Sequence, residues 1–169
     1  NHFEVINQST NKPKINFNKK NKLIIFVGRL NTSKGYDIFG KAIIKILNKY
    51  EEWKSVVIGD EPREKLEFNH KNLKKLGFLN HNKVSEWFLK SSIAVACSKW
   101  NEPFGRTALE ASSRGCAVII SNRGGLSEAA PYSLKIKSLT AKSLYKSIEM
   151  LIQNNKLRIS YQKKSYKNL

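Results

Sequence analysis

The sequence has few cysteine, proline and acidic residues, and it has no long apolar run. Its two cysteines among 169 residues exclude a disulfide framework and cannot form a zinc site by themselves. The longest unbroken apolar stretches, such as residues 23–27 and 93–97, are far shorter than the ~20 residues that cross a bilayer as a helix. With 40% hydrophobic residues, the chain is long enough for one domain with a packed core.

The cysteines and the first residues bear on the compartment. Cys97 and Cys116 each lie in a short apolar run, which is typical of a buried, reduced thiol and fits a cytoplasmic protein. The chain opens without the basic-then-apolar leader of a signal peptide and without methionine. We therefore expect a cytoplasmic domain that is a piece of a longer protein.

Acidic residues are few, 13 against 31 basic residues, which gives a formal net charge of +18. A charge of this sign suits nucleic acid, an anionic membrane surface or a phosphorylated ligand. The excess is concentrated at the two ends of the chain, whereas the middle is closer to balance. The sequence predicts a linker or edge segment over residues 1–22, a domain over 23–154 and a basic, solvated helix over 155–169.

Apolar runs alternate with segments of helical spacing through the middle of the chain. Strands are predicted at residues 23–27, 56–58, 76–79, 93–97, 117–120 and 133–136, and helices at 36–50, 63–71, 84–89, 104–113, 126–130 and 139–153. Most of the runs are apolar at successive positions, as in strands that are buried on both faces. The pattern predicts an α/β fold, a Rossmann-like doubly wound parallel sheet of about six strands with helices on both faces. Ligands of such sheets bind beyond the carboxyl ends of the strands.

Two cations follow the first strand. Gly28 ends that strand, and Arg29 and Lys34 precede the next helix. Cations beside the free amides of a helix N-terminus favour binding of a diphosphate, with a solvated basic loop as the alternative. The spacing matches neither a Walker A motif nor the dinucleotide fingerprint, which disfavours a dehydrogenase.

Two carboxylates follow the fourth strand. Glu102 lies in a loop, and Glu110 lies within the helix that Phe104 and Gly105 open. The neighbours of Glu110 in the sequence are apolar, so its carboxylate needs a partner such as sugar hydroxyls or an arginine. The alternative is an exposed loop glutamate and an ordinary helical one.

The segment from Glu102 to Ala111 resembles the Glu-x7-Glu motif of retaining glycosyltransferases of the GT-B fold, in the large family of group 1 glycosyl transferases. Other segments resemble, in the same order, this family's phosphate loop, second strand, base loop and the stretch after the motif helix; they are residues 26–35, 56–60, 77–79 and 115–128. The resemblance covers roughly residues 22–130. It implies one half of a GT-B fold, the C-terminal donor-binding domain.

The resemblance also implies a role for each candidate residue. The donor diphosphate would be bound by Gly28, Arg29 and Lys34, and the ribose by Glu110. The base would be contacted by Phe78, Leu79 and Lys83. The transferring sugar would be held by the catalytic Glu102 together with Pro103, Phe104 and Gly105. No metal or other cofactor is implied, because the cations of the phosphate loop can neutralise the leaving group.

The implied activity is transfer of a sugar from a nucleotide diphosphate sugar to a glycan or lipid-linked acceptor, in lipopolysaccharide or polysaccharide biosynthesis. The expected partners are the sugar donor, an absent N-terminal acceptor-binding domain and, through the basic tail, the inner face of the cytoplasmic membrane. No nucleic acid is expected, and the isolated domain is expected to be inactive. Two alternatives stay open: a non-enzymatic basic α/β module that binds nucleic acid, and a nucleotide-sugar epimerase of GT-B architecture.

Overall fold

The computed structural model describes residues 12–169, so residues 1–11 of the predicted linker lie outside the described residues. Six strands form one sheet in which every pair is parallel, in the order β3-β2-β1-β4-β5-β6. The strands are β1 (Asn21–Val27), β2 (Lys54–Ile58), β3 (Leu73–Lys75), β4 (Ser91–Ala96), β5 (Ala117–Ile120) and β6 (Leu134–Lys135). The predicted six-stranded parallel sheet is confirmed.

Helices cover both faces of this sheet. A short 3-10 turn (Phe17–Lys19) precedes β1, and the helices are α1 (Tyr36–Lys49), α2 (His81–Lys90), α3 (Arg106–Ser113), α4 (Leu126–Ala129), α5 (Ala141–Gln153) and α6 (Asn155–Lys167). Alternate residues of β1 enter separate cores: Ile24 joins the apolar cluster with α1 and α5, and Ile25 joins the cluster with α2, α3 and α4. The continuous apolar runs therefore serve two cores, one on each face.

The prediction of a helix over residues 63–71 was wrong, because this segment is irregular. Its aromatic residue Phe68 packs over α1, where a Cβ added to Gly40 would lie 2.1 Å from the Phe68 ring. The ring of Phe68 also meets Tyr36 edge-on, with centroids 5.5 Å apart. Anchoring across α1 gives these residues long-range contacts, which local helical spacing does not reveal.

The third strand lies earlier in the chain than predicted. It occupies Leu73–Lys75, and residues 76–79 form a loop in which Gly77 has a positive φ of 68°. The loop stays close to β2, since the amide of Leu76 donates to the carbonyl of Val57 at 2.9 Å. The other strand boundaries lie within two residues of the predicted ones.

The basic helix α6 is docked on the domain, which corrects the expectation of a solvated helix. The amide of the buried Gln162 side chain donates to the Ser92 carbonyl at 3.2 Å, and Ser165 Oγ donates to the Tyr132 carbonyl at 3.2 Å. Ser92 is the second residue of β4, and Tyr132 precedes β6. The helix α6 therefore lies at the amino ends of the strands, opposite the end at which ligands of such sheets bind.

The first and last described residues meet. The Lys12 ammonium donates to the Leu169 carbonyl at 2.8 Å, and the Tyr166 hydroxyl donates to the Pro13 carbonyl at 2.7 Å. The rings of Phe17 and Tyr166 form an edge-to-face pair with centroids 5.6 Å apart. The segment before β1 is thus held by the end of α6.

Both cysteines are buried free thiols, as predicted. Burial raises the pKa of Cys97 to about 12 and raises that of Cys116 as well. Neither thiol has the lowered pKa of a reactive cysteine.

Candidate functional site

A cavity of about 50 Å³ opens at the carboxyl ends of β1 and β4. The strand order reverses between these two neighbours, so the cavity lies at the topological switch point where doubly wound folds bind ligands. Four of the predicted site residues line it: Gly28, Lys34, Glu102 and Gly105. The position agrees with the expectation drawn from the strand pattern.

The loop between β1 and α1 is held against β4. Gly35, the residue before α1, has φ of 74°, and a Cβ added there would lie 2.0 Å from the carbonyl oxygen of Cys97. The amide of Lys99 donates to the Ser33 carbonyl at 2.9 Å, and the Lys99 ammonium binds Asp37 at 2.7 Å. The contact of Gly35 with Cys97 and the two bonds of Lys99 together fix the backbone that carries Lys34.

Two acidic residues hold the other side of the same loop. Glu61 accepts hydrogen bonds from the Asn31 side chain at 3.1 Å and from Arg63 Nε at 2.9 Å. These bonds lower the pKa of Glu61 to about 2, and the bond from Arg63 has the larger effect. The amide of Thr32 donates to Glu64 at 3.1 Å. Sequence reasoning missed both acids, because they lie about thirty residues away in the chain.

Lys34 and Glu102 form an ion pair between the ammonium and Oε1. The pair joins the residue predicted to bind phosphate to the residue predicted to hold the sugar. The Glu102 side chain is only 15% exposed and that of Lys34 31%, so the pair is partly shielded from water. Arg29, by contrast, is exposed and is not among the residues that line the cavity.

A pair of glycines supports the Glu102 loop. The amide of Gly125 donates to the Glu102 carbonyl at 2.5 Å, and a Cβ added to Gly124 would lie 2.3 Å from that same oxygen. Gly124 has φ of 56°, a left-handed conformation that favours glycine. The pair was not among the predicted site residues, because its contact with the Glu102 loop is visible only in the fold.

The helix α3 begins at the cavity. Gly105, with φ of 60°, is its N-cap residue and, as a glycine, makes no side-chain capping hydrogen bond. The first residues, Arg106 and Thr107, line the cavity. An uncapped helix N-terminus offers free amides and a partial positive charge to an anion. Pro103 and Phe104 are exposed beside it and do not line the cavity.

Glu110 lies farther along α3, with its side chain 19% exposed. Burial raises the pKa of its carboxyl, and the nearby cations His81, Arg106 and Arg114 oppose that shift, His81 most strongly. His81 Nδ1 lies 3.6 Å from Glu110 Oε1. His81 was not among the predicted site residues, and the structure places it beside one of them.

The predicted base loop borders the end of β2. The amide of Gly59 donates to the Gly77 carbonyl at 2.8 Å. Phe78 is 77% exposed, whereas Leu79 packs against the core. The Lys83 ammonium pairs with Glu86 at 3.3 Å. Of the three predicted base contacts, Phe78 presents a large apolar surface to solvent.

Two kinds of feature are absent from residues 12–169. No helix there is long and apolar enough to cross a membrane. No three histidine, cysteine or acidic side chains there converge so as to hold a metal ion.

The fold and cavity define a Rossmann-like domain with cationic and carboxylate groups at its switch point. The sequence profile described as "Glycosyl transferases group 1" matches residues 7–168, and the chain belongs to this family. Its fold is that of a C-terminal domain of the GT-B type. It is similar to the C-terminal domain of the group 1 glycosyl transferase LpcC from Francisella tularensis, with 27% identity, a TM-score of 0.78 and coverage of 95% of this chain and 93% of that domain.

Sequence relatives are longer proteins. An uncharacterized glycosyltransferase of Methanocaldococcus jannaschii is 36% identical over 68% of this chain and 32% of its own length. The lipopolysaccharide core biosynthesis mannosyltransferase LpcC of Rhizobium leguminosarum is 33% identical over 60% of this chain and 31% of its own. The chain thus spans about a third of the curated relatives it matches. HepE from Anabaena, solved with UDP-glucose, shares the fold, with a TM-score of 0.74 and 18% identity over 86% of this chain and 43% of HepE.

Proposed function

We propose that this chain is the donor-binding domain of a retaining glycosyltransferase that uses a nucleotide diphosphate sugar. The observation that carries the proposal is the Lys34–Glu102 pair beside the uncapped N-terminus of α3. A cation and free amides suit a diphosphate, and a shielded carboxylate suits sugar hydroxyls. The partly buried Glu110, deeper along α3, supplies a second acceptor for the ribose hydroxyls.

The roles follow from these positions. Lys34 and the first amides of α3 would neutralise the charge that develops on the departing diphosphate, so no metal is required for that step. Arg29 would reach the diphosphate from the rim of the site, and the loop around Phe78 would contact the base. Glu102 would fix the transferring hexose, with its anomeric carbon facing a second domain.

We also propose the context of the whole enzyme. The acceptor, a glycan or lipid-linked precursor of lipopolysaccharide or another polysaccharide, would bind an N-terminal domain across the cleft. The domain alone would bind the donor and transfer nothing, because the acceptor site would come from that second domain. Similarity to the mannosyltransferase LpcC supports this class of acceptor.

Calorimetric titration with UDP, GDP and ADP tests the donor site. We expect one nucleotide to bind selectively, without dependence on added Mg²⁺. Glu110→Ala is expected to weaken that binding about tenfold or more, because each charge-assisted hydrogen bond contributes ~1.5–3 kcal/mol. Glu52→Gln is the matched control, because this exposed glutamate precedes β2 at the opposite end of the sheet. Failure of all three nucleotides to bind, with tight binding of a DNA duplex at low salt, would favour the nucleic-acid module.

We further propose that α6 contacts an anionic membrane surface on the cytoplasmic side. Four of its lysines are exposed, Lys156, Lys163, Lys164 and Lys167, and Asn155–Lys167 contains no acidic residue. Each lysine near such a surface contributes about 1 kcal/mol. We expect co-sedimentation with phosphatidylglycerol vesicles and not with pure phosphatidylcholine, and its loss when three of the four become glutamine. Replacing the exposed Lys41 and Lys45 of α1 is the control, and equal losses in both variants would exclude a role for α6.

A further inference from the structure

His81 is placed beside Glu110 by the segment that precedes α2. Asn80 caps this helix, since its Oδ1 accepts from the Lys83 amide at 3.0 Å. The cap fixes the backbone of His81, the first residue of α2, directly after the base loop. Its Nδ1 lies 3.6 Å from Glu110 Oε1, and its side chain is 56% exposed, so the ring contacts solvent.

Three basic side chains act electrostatically on the Glu110 carboxylate, His81 from α2 and Arg106 and Arg114 from α3. Arg114 also bonds to two serines, since its Nε donates to Ser85 Oγ at 2.7 Å and its Nη1 to Ser113 Oγ at 3.2 Å. Arginines keep their charge throughout the accessible pH range, whereas imidazole is the group that ordinarily changes charge between pH 5 and 8. Of these three neighbours, His81 is the one through which pH can act near neutrality.

We propose that His81 is a positioning residue for Glu110, and that its protonated form strengthens binding of the nucleotide sugar. This inference rests on the proposed donor site. An imidazolium at this distance keeps the carboxylate ionised and oriented as an acceptor for the ribose hydroxyls. At 3.6 Å the contact is electrostatic rather than a full hydrogen bond, so both carboxylate oxygens stay available to the vicinal hydroxyls.

The sign of the pH dependence follows from linkage. The bound diphosphate brings negative charge towards His81, so the occupied site favours the imidazolium and takes up a proton. A complex that binds more protons than its free components is favoured at lower pH. The affinity for the donor is therefore expected to fall as the pH rises through neutrality. Burial raises the pKa of Glu110. At lower pH, protonation of this carboxyl ends the increase in affinity for the donor.

The test is titration with UDP-glucose, GDP-mannose and ADP-glucose between pH 5.5 and 8.5. The diphosphate of these probes is a diester, so it lacks the phosphate ionisation near pH 6 that would obscure the result. We expect about three- to tenfold weaker binding at pH 8 than at pH 6, the range for one partly screened charge pair. Repeating the titration in two buffers of different ionisation enthalpy is expected to show proton uptake on binding.

His81→Asn is expected to bind the nucleotide sugar with the affinity of the unmodified chain at pH 8. It is also expected to lose both the slope of affinity against pH and the proton uptake on binding. His70→Asn is the matched control, because His70 precedes β3 at the opposite end of the sheet and contacts Asn48 at 3.0 Å; it should keep the slope. An unchanged slope in His81→Asn would overturn the inference and leave the donor site standing. Absence of binding by every probe at every pH would overturn the donor site and this inference together.

Discussion

Replacing Glu102 by glutamine is expected to strengthen binding of a plain nucleoside diphosphate while weakening binding of the nucleotide sugar relative to it. The reason is the Lys34–Glu102 ion pair of the free domain. A diphosphate that recruits Lys34 must separate this pair and leave a shielded carboxylate without its cation, which is costly. Glutamine removes that cost and also removes a negative charge beside the incoming phosphates.

The two ligands separate the two effects. For the nucleoside diphosphate, a gain of about two- to fivefold is expected in Glu102→Gln, on the scale of one partly exposed ion pair. For the nucleotide sugar, the sugar hydroxyls lose a charged acceptor, so the extra affinity that the sugar contributes is expected to disappear. Calorimetry with each ligand measures both quantities.

Lys34→Gln provides the opposite case. This substitution is expected to weaken the binding of both ligands about tenfold or more, since it removes a charge-assisted contact to phosphate. The double variant should not show the sum of the single effects, because the residues are in contact. If Glu102→Gln weakened both ligands by the same factor, the ion pair would not compete with the donor.

The second large effect concerns stability. Gly35→Ala is expected to lower the free energy of unfolding by about 3 kcal/mol or more, the sum of a left-handed backbone penalty of ~1–2 kcal/mol and an overpacking cost of ~1–3 kcal/mol. The new Cβ would lie 2.0 Å from the Cys97 carbonyl oxygen. Because that oxygen is backbone, relief requires α1 and β4 to move apart.

Gly77→Ala is the matched control in urea unfolding. Gly77 has a similar φ of 68°, and nothing lies within 4 Å of a Cβ added there. Its expected cost is the backbone penalty alone, ~1–2 kcal/mol. The difference between the two variants isolates the contact of the loop between β1 and α1 with the end of β4. Equal losses of stability would show that this contact contributes nothing.

The sheet could be predicted because its signal is local. Continuous apolar runs such as residues 117–120 are buried on both faces, so their bounds follow from composition, and that strand was located to the residue. The segment over residues 63–71 lacked such a signal. Its conformation depends on Phe68 filling the space that Gly40 leaves on α1, which is a contact between distant parts of the chain.

The candidate site divides in the same way. Gly28, Lys34, Glu102 and Gly105 were singled out by motif and spacing, and the fold brings them to one cavity. Glu61, which supports the loop between β1 and α1, was missed because no local pattern connects an acidic residue after β2 to a loop that follows β1. The roles assigned to the predicted residues remain predictions that the titrations above address.

The contact of the segment around Lys12 with the end of α6 has a mechanical consequence. Lys12 and Leu169 are joined by a direct hydrogen bond, so a force applied between them acts first on the few contacts near Pro13 and Tyr166. Those contacts would open one after another, as in unzipping, before the load reached the sheet. The central strand β1, bonded on both sides, would separate late. Stretching would therefore peel α6 from the domain at low force and leave the ligand cavity intact until the sheet itself yields.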